Sequence, residues 1–318
     1  MILNDNELLP SERAVYALRT LYLSFGYRRY KVSKFEEYDL YAENKSFLSD
    51  KSILTFTDTD GRLMALKPDI TLSIIKNTKD SSGMQKVFYN ECVYRAGGSG
   101  FKEIMQTGLE CIGDIDDFST AEVISLAYKS LESISGSFLL DVSHMGFVTG
   151  LIGMITQNGA ARSELMSAVG RKSADTVRAV CSDIGADKKY AYALSAACLL
   201  YGTPREVLEK ARPLCLNDEM RASYDALEKI SGYMEKSGLA QNLRIDFSIL
   251  NDTNYYNGII FKGFIDGIPQ SVLSGGRYDS LLSRLGRKQG AVGFAVYLDG
   301  LDRLFSDTDT CGGESIGG

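Results

Sequence analysis

The order of strand-like and helical patterning along these 318 residues constrains the chain more than any single motif. Short strand-like runs fill 29–115 and resume after 240, whereas about 145–238 carries helical periodicity without an evident strand. A sheet drawing on both blocks must close around a long helical excursion. This predicts an α+β fold, an antiparallel sheet flanked by helices with a helical subdomain inserted at about 145–238, rather than regular βαβ alternation. A chain of this length buries enough apolar surface to fold without disulfides or metal staples.

Local signals place the elements. Residues 11–28 read as a helix, with Ser11 as N-cap and Ala14, Leu18, Leu21 and Leu23 forming its apolar face. Strand-like runs follow at Ser52–Thr57, Leu63–Leu66, Lys86–Arg95 and Met105–Ile112, and a helix returns over 116–134. Thr203, Pro204 and Glu206 form a capping box with proline at the first helical position, and Pro213 closes that helix. Leu243, Ile245, Phe247 and Ile249 then alternate with polar residues as in a strand. More β is expected at Gly258–Phe264 and Ser271–Ser274, then a helix at about 277–285. One domain is expected over 1–306, with the Gly- and Asp-rich 307–318 as a flexible tail.

Composition excludes several functions. With 41 acidic and 35 basic residues the net charge is −6, unsuited to neutralising a nucleic-acid backbone. His144 is the single histidine, so a multi-histidine metal site is excluded and neither metal nor cofactor is expected. Its place after a strand suits a capping or core role. The six cysteines include no Cys-x-x-Cys pair and suit reduced thiols of a cytoplasmic protein. Met1–Ser11 lacks the charged and apolar regions of a signal peptide, and no apolar run approaches the ~18 residues of a membrane span.

The most informative stretch is Val87–Gly113, in which two strands flank the Gly-rich connection Ala96–Gly100, as in an antiparallel hairpin. Parity puts Gln106, Gly108 and Glu110 on one face of the second strand, and Glu91, Val93 and Arg95 on one face of the first. If those faces coincide, Glu91, Arg95, Gln106 and Glu110 surround a side-chain-free patch at Gly108, fit for a small molecule bearing an ammonium and a carboxylate. A merely solvated hairpin face satisfies the same pattern. The turn matches no phosphate loop. Further on, NDTNYYNGIIF (251–261) and SGGRYD (274–279) combine tyrosines with side-chain-free positions, as a pocket wall does, although paired tyrosines on a strand also serve packing. GAVGFAVYLDGLDR (290–303) reads as a strand running into a helix.

In this order, these segments resemble the catalytic domain of histidyl-tRNA synthetase, a class II synthetase, over about residues 10–305. The resemblance implies that Asp69 and Thr71 in LMALKPDIT (63–71) face the amino group of an amino acid. It places Arg95 at the ATP-phosphate arginine of motif 2, and Gln106, Glu110, Tyr255 and Tyr256 around a bound histidine. Two family cations are replaced: Asn251 stands four residues before the first tyrosine, and Gly300 stands at the motif 3 arginine. Arg303 lies one helical turn beyond Gly300, and Lys34 occupies the motif 1 proline position.

Adenylate formation needs cations against the developing phosphate charge, and loss of one such donor costs on the order of 100-fold or more. The stretch after Arg303 is also shorter than an anticodon-binding domain of at least ~50 residues. Together these departures resemble the ATP phosphoribosyltransferase regulatory subunits. That likeness implies no catalysis by the chain itself and no tRNA. It implies partnership with the short catalytic subunit at the first step of histidine biosynthesis, histidine as effector, and a homodimer within a hetero-oligomer. Arg95 is then a residual phosphate-binding residue. Two alternatives stay open: a free-standing synthetase paralogue activating an amino acid for a non-tRNA acceptor, and a binding module with a degenerate pocket.

Overall fold

The structure is a computed structural model that describes residues 8–44, 53–78, 83–97, 100–250 and 256–302. The expected tail at 307–318, together with Asn251, Tyr255 and Arg303, lies outside these residues. The first block comprises α1 (Pro10–Ser24), β1 (Arg28–Arg29), β2 (Phe35–Glu37), α2 (Tyr38–Glu43), β3 (Thr55–Thr57), β4 (Leu63–Leu66) and α3 (Ile70–Asn77). The hairpin β5 (Gln85–Gly97) and β6 (Gly100–Gly113) follows, then α4 (Asp117–Ile134) and β7 (Phe138–His144). The helical stretch holds α5 (Met145–Ile155), α6 (Gly159–Gly170), α7 (Ala174–Asp183), α8 (Lys188–Ala197), β8 (Tyr201–Gly202), α9 (Pro204–Ala211) and α10 (Asp218–Lys236). β9 (Leu243–Asp246), β10 (Ile259–Ile265), β11 (Leu273–Arg277), α11 (Asp279–Arg284) and β12 (Gly290–Tyr297) complete the described chain.

Nine strands form one sheet in the order β1-β5-β6-β12-β11-β10-β7-β9-β8, with β2-β4-β3 as a separate small sheet. The six strands from β5 to β7 are antiparallel throughout. The sheet as a whole is mixed, because β1 pairs parallel with β5 and β9 parallel with β7. The second parallel pair follows from the helical excursion: a crossover of that length returns the chain to the starting end of β7, which a tight turn cannot do. β8 also corrects the expectation of a strand-free insert, since its two residues extend the sheet edge beside β9.

Several element ends differ from the sequence reading, among them α1, which stops at Ser24 rather than 28, and β9, which stops at Asp246 although the alternation runs on to Ile249. α1 starts at Pro10 with Leu9 as N-cap, not at Ser11. Proline has no N–H to leave unsatisfied there, and the Glu12 carboxylate accepts the Leu9 N–H at 2.9 Å. Ser11 instead donates its hydroxyl to Asp302 at 2.9 Å, tying α1 to the far end of the chain. Pro213 does not stop the chain turning at once, because Arg212–Leu214 continues as a 3₁₀ turn. The Thr203 capping box forms as expected: Glu206 accepts from the Thr203 N–H at 3.2 Å and its hydroxyl at 2.7 Å. His144 is the N-cap of α5, accepting the Gly146 N–H on Nδ1 at 3.2 Å. Among the described residues no helix is long and apolar enough to cross a membrane.

One sheet face carries the main core. Phe88, Leu109, Phe294, Phe261, Val142 and Ile245 pack there with α1, α4 and side chains of the helical stretch such as Phe147, Leu165 and Leu227. A smaller cluster on the opposite face joins Tyr89, Val93 and Ile112 to α3, Tyr41, Tyr278 and Leu281. Close packing shows at Gly263, where an added Cβ would lie 2.6 Å from Leu131 Cδ1 and 2.9 Å from Leu273 Cβ. Overfilling such a position costs about 1–3 kcal/mol. Gly263→Ala is therefore expected to lower the unfolding free energy by that amount. Leu131→Ala alone should cost about 2–5 kcal/mol. The double variant should lose clearly less than the sum, because emptying the Leu131 site relieves the clash. Urea unfolding followed by circular dichroism measures all three, and strict additivity would contradict this packing.

Candidate functional site

Hairpin register decides whether the polar faces coincide, and they do. Glu91 lies opposite Gln106, Tyr89 opposite Gly108 and Val87 opposite Glu110. The same rows run on into β12 and β11, with Glu110 beside Gly293, Gly293 beside Gly276, and Gly108 beside Ala295. Gly108, Gly293 and Gly276 thereby give adjacent strands a floor free of side chains. The molecule's own polar groups fold down on it. A Cβ at Gly293 would meet the Glu110 carboxylate, one at Gly108 the Tyr89 hydroxyl at 2.6 Å, and one at Gly276 the Tyr256 ring at 2.6 Å. Only glycine leaves that depth open.

Glu110 is the centre of the site and is 1% exposed. One oxygen accepts the Thr71 hydroxyl at 2.6 Å, and the other accepts the Tyr278 hydroxyl in a short bond. Thr71 stands in the first turn of α3, whose N-cap is Asp69, accepting the Leu72 N–H at 3.0 Å. The other Asp69 oxygen lies 3.9 Å from Arg95 Nη2. Arg95 also donates Nε–H to the Pro68 carbonyl at 3.0 Å, so this cation braces the strap carrying Asp69. Gln106 is 3% exposed, and its amide nitrogen has no hydrogen-bond partner within the described structure. The Tyr256 ring stands edge-on to Tyr278, centroids 6.4 Å apart, and closes one wall.

The structure thus gathers Asp69, Thr71, Arg95, Gln106, Glu110 and Tyr256 at one end of the sheet. Tyr255 falls outside the described residues. Sequence reading missed the part of Tyr278 as hydroxyl donor to Glu110, although it lies two residues after Gly276 and parity already pointed it to that face. It also missed Lys67, which is fully buried with its amine 3.6 Å from Glu91. The arrangement offers two acidic groups, an amide donor, tyrosine walls and one guanidinium. Such a site suits a small ligand with both cationic and anionic groups.

The histidyl-tRNA synthetase family matches residues 3–301. The ATP phosphoribosyltransferase regulatory subunit of Thermoanaerobacter sp. (strain X514) is 32% identical over 289 residues, covering 88% of this chain and 75% of that protein. Among solved structures, an ATP phosphoribosyltransferase regulatory subunit/histidyl-tRNA synthetase from Bacillus halodurans C shares the fold at TM-score 0.83 and 24% identity, over 92% of this chain and 78% of that one. A chain of the ATP phosphoribosyl transferase (HisG:HisZ) complex from Thermotoga maritima shares it at TM-score 0.74 and 18% identity, over 92% of this chain and 98% of that one.

Burial raises the Glu110 carboxyl from 4.5 to about 8; the Thr71 and Tyr278 hydroxyls pull it back only in part, and Asp69 adds to the rise. Near neutral pH this group therefore holds a proton in the folded chain that it has already released in the unfolded one. Folding stability must then fall as pH rises from about 4.5 towards 8, because the folded state binds the extra proton. Asp141 adds a smaller slope of the same sign, its carboxyl raised to about 6 by burial and then by Asp246. Glu110→Gln, which keeps the shape and cannot ionise, is expected to flatten the decline between pH 6 and 8. Urea midpoints across that range test this, and an unchanged slope would show that Glu110 is ionised throughout.

Proposed function

The chain belongs to the histidyl-tRNA synthetase family and, within it, to the ATP phosphoribosyltransferase regulatory subunits; from that membership we propose that it senses histidine for a short-form phosphoribosyltransferase catalytic subunit at the first step of histidine biosynthesis. On this reading it is required for that enzyme's activity, transmits feedback inhibition and performs no catalysis of its own. It works as a cytoplasmic homodimer within the hetero-oligomer, and tRNA is not among its ligands. The observation that carries the reading is the grip of Thr71 and Tyr278 on the buried Glu110 beside Asp69. That is machinery for holding an amino acid.

Asp69 and Thr71 take the ligand's ammonium in this proposal, while Glu110, Gln106, Tyr255 and Tyr256 surround its imidazole. The phosphate side is weaker. Asn251 and Gly300 stand where the synthetases place arginines, and Arg95 is engaged with Asp69 and Pro68. A transition state that gathers negative charge would find little to stabilise it. Regulation further requires that histidine bind the active and inhibited assemblies with different affinity.

Calorimetry of the purified chain is expected to show L-histidine binding, weakened roughly 10- to 100-fold by Glu110→Gln, the range for leaving a buried polar group without its partner. Adding the chain to a short-form catalytic subunit should raise its phosphoribosyltransferase rate, and histidine should lower it again. Absence of both effects would overturn the reading. Amino-acid-dependent ATP–pyrophosphate exchange would replace it with the synthetase alternative.

A further inference from the structure

Lys67 is 0% exposed, an uncommon state for a lysine, and its amine makes no hydrogen bond within the described structure. Its nearest anion is Glu91 at 3.6 Å. Burial pulls the amine's pKa down, while Glu91 and then Glu36 support the charged form. Packing does not call for a lysine here, since an unbranched apolar side chain fills similar space without desolvating an ammonium. The charge therefore needs another explanation.

That explanation lies in what Lys67 touches. Its N–H donates to the Lys34 carbonyl at 3.1 Å and its carbonyl accepts the Tyr94 N–H at 2.9 Å, fixing the start of the strap that carries Asp69 and Thr71. The side chain meets Glu91, which pairs directly with Gln106 on the polar sheet face. Without a cation, Glu91 would stand on that face as an uncompensated anion directly across from Gln106. Such a face would draw any small cation, whether or not it carried a carboxylate.

We infer that Lys67 is a specificity-determining positioning residue: by neutralising Glu91 it keeps the pocket's charge balanced, so that the pocket prefers a zwitterionic amino acid over the corresponding amine. The inference rests on the proposed histidine site, and it assigns a role to a residue that does not itself meet the ligand. Glu91 supplies the counter-charge and Arg95 remains the cation nearest Asp69.

The test compares L-histidine with histamine, which keeps the imidazole and ammonium and lacks the carboxylate, by calorimetry on the full chain. Lys67→Met is expected to shift the histidine-to-histamine affinity ratio towards histamine by roughly tenfold or more, the scale of one uncompensated charge near a partly screened site. Lys67→Arg should keep the wild-type ratio. Lys67→Met combined with Glu91→Gln should restore it, and a purely structural defect is told apart because it would weaken histidine and histamine together and leave their ratio unmoved. If Lys67→Met fails to fold, Glu91→Gln alone reads the same balance from the other side, shifting the ratio towards histidine. Wild-type protein that binds no histidine would defeat the site reading itself. Wild-type binding with a ratio unmoved in every variant would overturn the role of Lys67 alone.

Discussion

The burial of one carboxylate governs the geometry of this sheet end. Glu110 lies flat against the backbone of Gly293, a placement that any Cβ there would block. Its oxygens are satisfied by hydroxyls from two other parts of the chain, Thr71 and Tyr278. Each of these has its own support. Thr71 depends on α3, whose start Asp69 caps, and Tyr278 follows β11 immediately before α11. Removing any one partner leaves a buried acidic group short of a donor, which costs more than an exposed hydrogen bond contributes. This dependence couples residues far apart in sequence into one unit.

Much of that unit was legible beforehand, for a definite reason. Strand parity is local and strict, so Glu91 with Arg95, and Gln106 with Gly108 and Glu110, could be put on one face of each strand from sequence. The register that sets Glu91 opposite Gln106 and Tyr89 opposite Gly108 came only with the structure. The Thr203 capping box and the limits of α4 were equally local signals. The remainder was set by long-range contacts. The Tyr278–Glu110 bond spans 168 residues of chain, and the Lys67–Glu91 contact depends on how the strap docks onto β5. Ser11 looked like a cap because serine usually is one, but a carboxylate from the distant Asp302 captured its hydroxyl. Nor could periodicity have shown β8, whose two residues join the sheet only because β9 already lies there.

On the proposed reading, charge balance separates this site from one built for chemistry. Its acidic side is complete: Asp69, Glu91 and Glu110 stand on or beside one polar face, each with a defined partner. Among the described residues its cationic side is thin, and Arg95 donates to the Pro68 carbonyl and lies 3.9 Å from the Asp69 carboxylate. In the proposed role, a pocket of this kind gains by gripping an amino acid in its ground state. Such binding does nothing for the rate of a step whose charge develops on phosphate. Sequence membership and geometry therefore point the same way, towards recognition of a ligand.

Recognition becomes regulation only if the site is mechanically joined to the rest of the molecule, and Tyr256 supplies a physical link. Its ring covers Gly276 on the pocket floor and stands against Tyr278, the donor to Glu110. The same ring packs against the buried group of Met145, Ile249 and Ile260, which Met166 of α6 also joins. Met145 begins α5, the first helix of the helical stretch. A ligand that displaced Tyr256 from the floor would have to repack that group, and close-packed interiors answer such a change by shifting whole elements. On the proposed reading, Tyr256 thus joins the helical stretch to the pocket through Met145 and Met166.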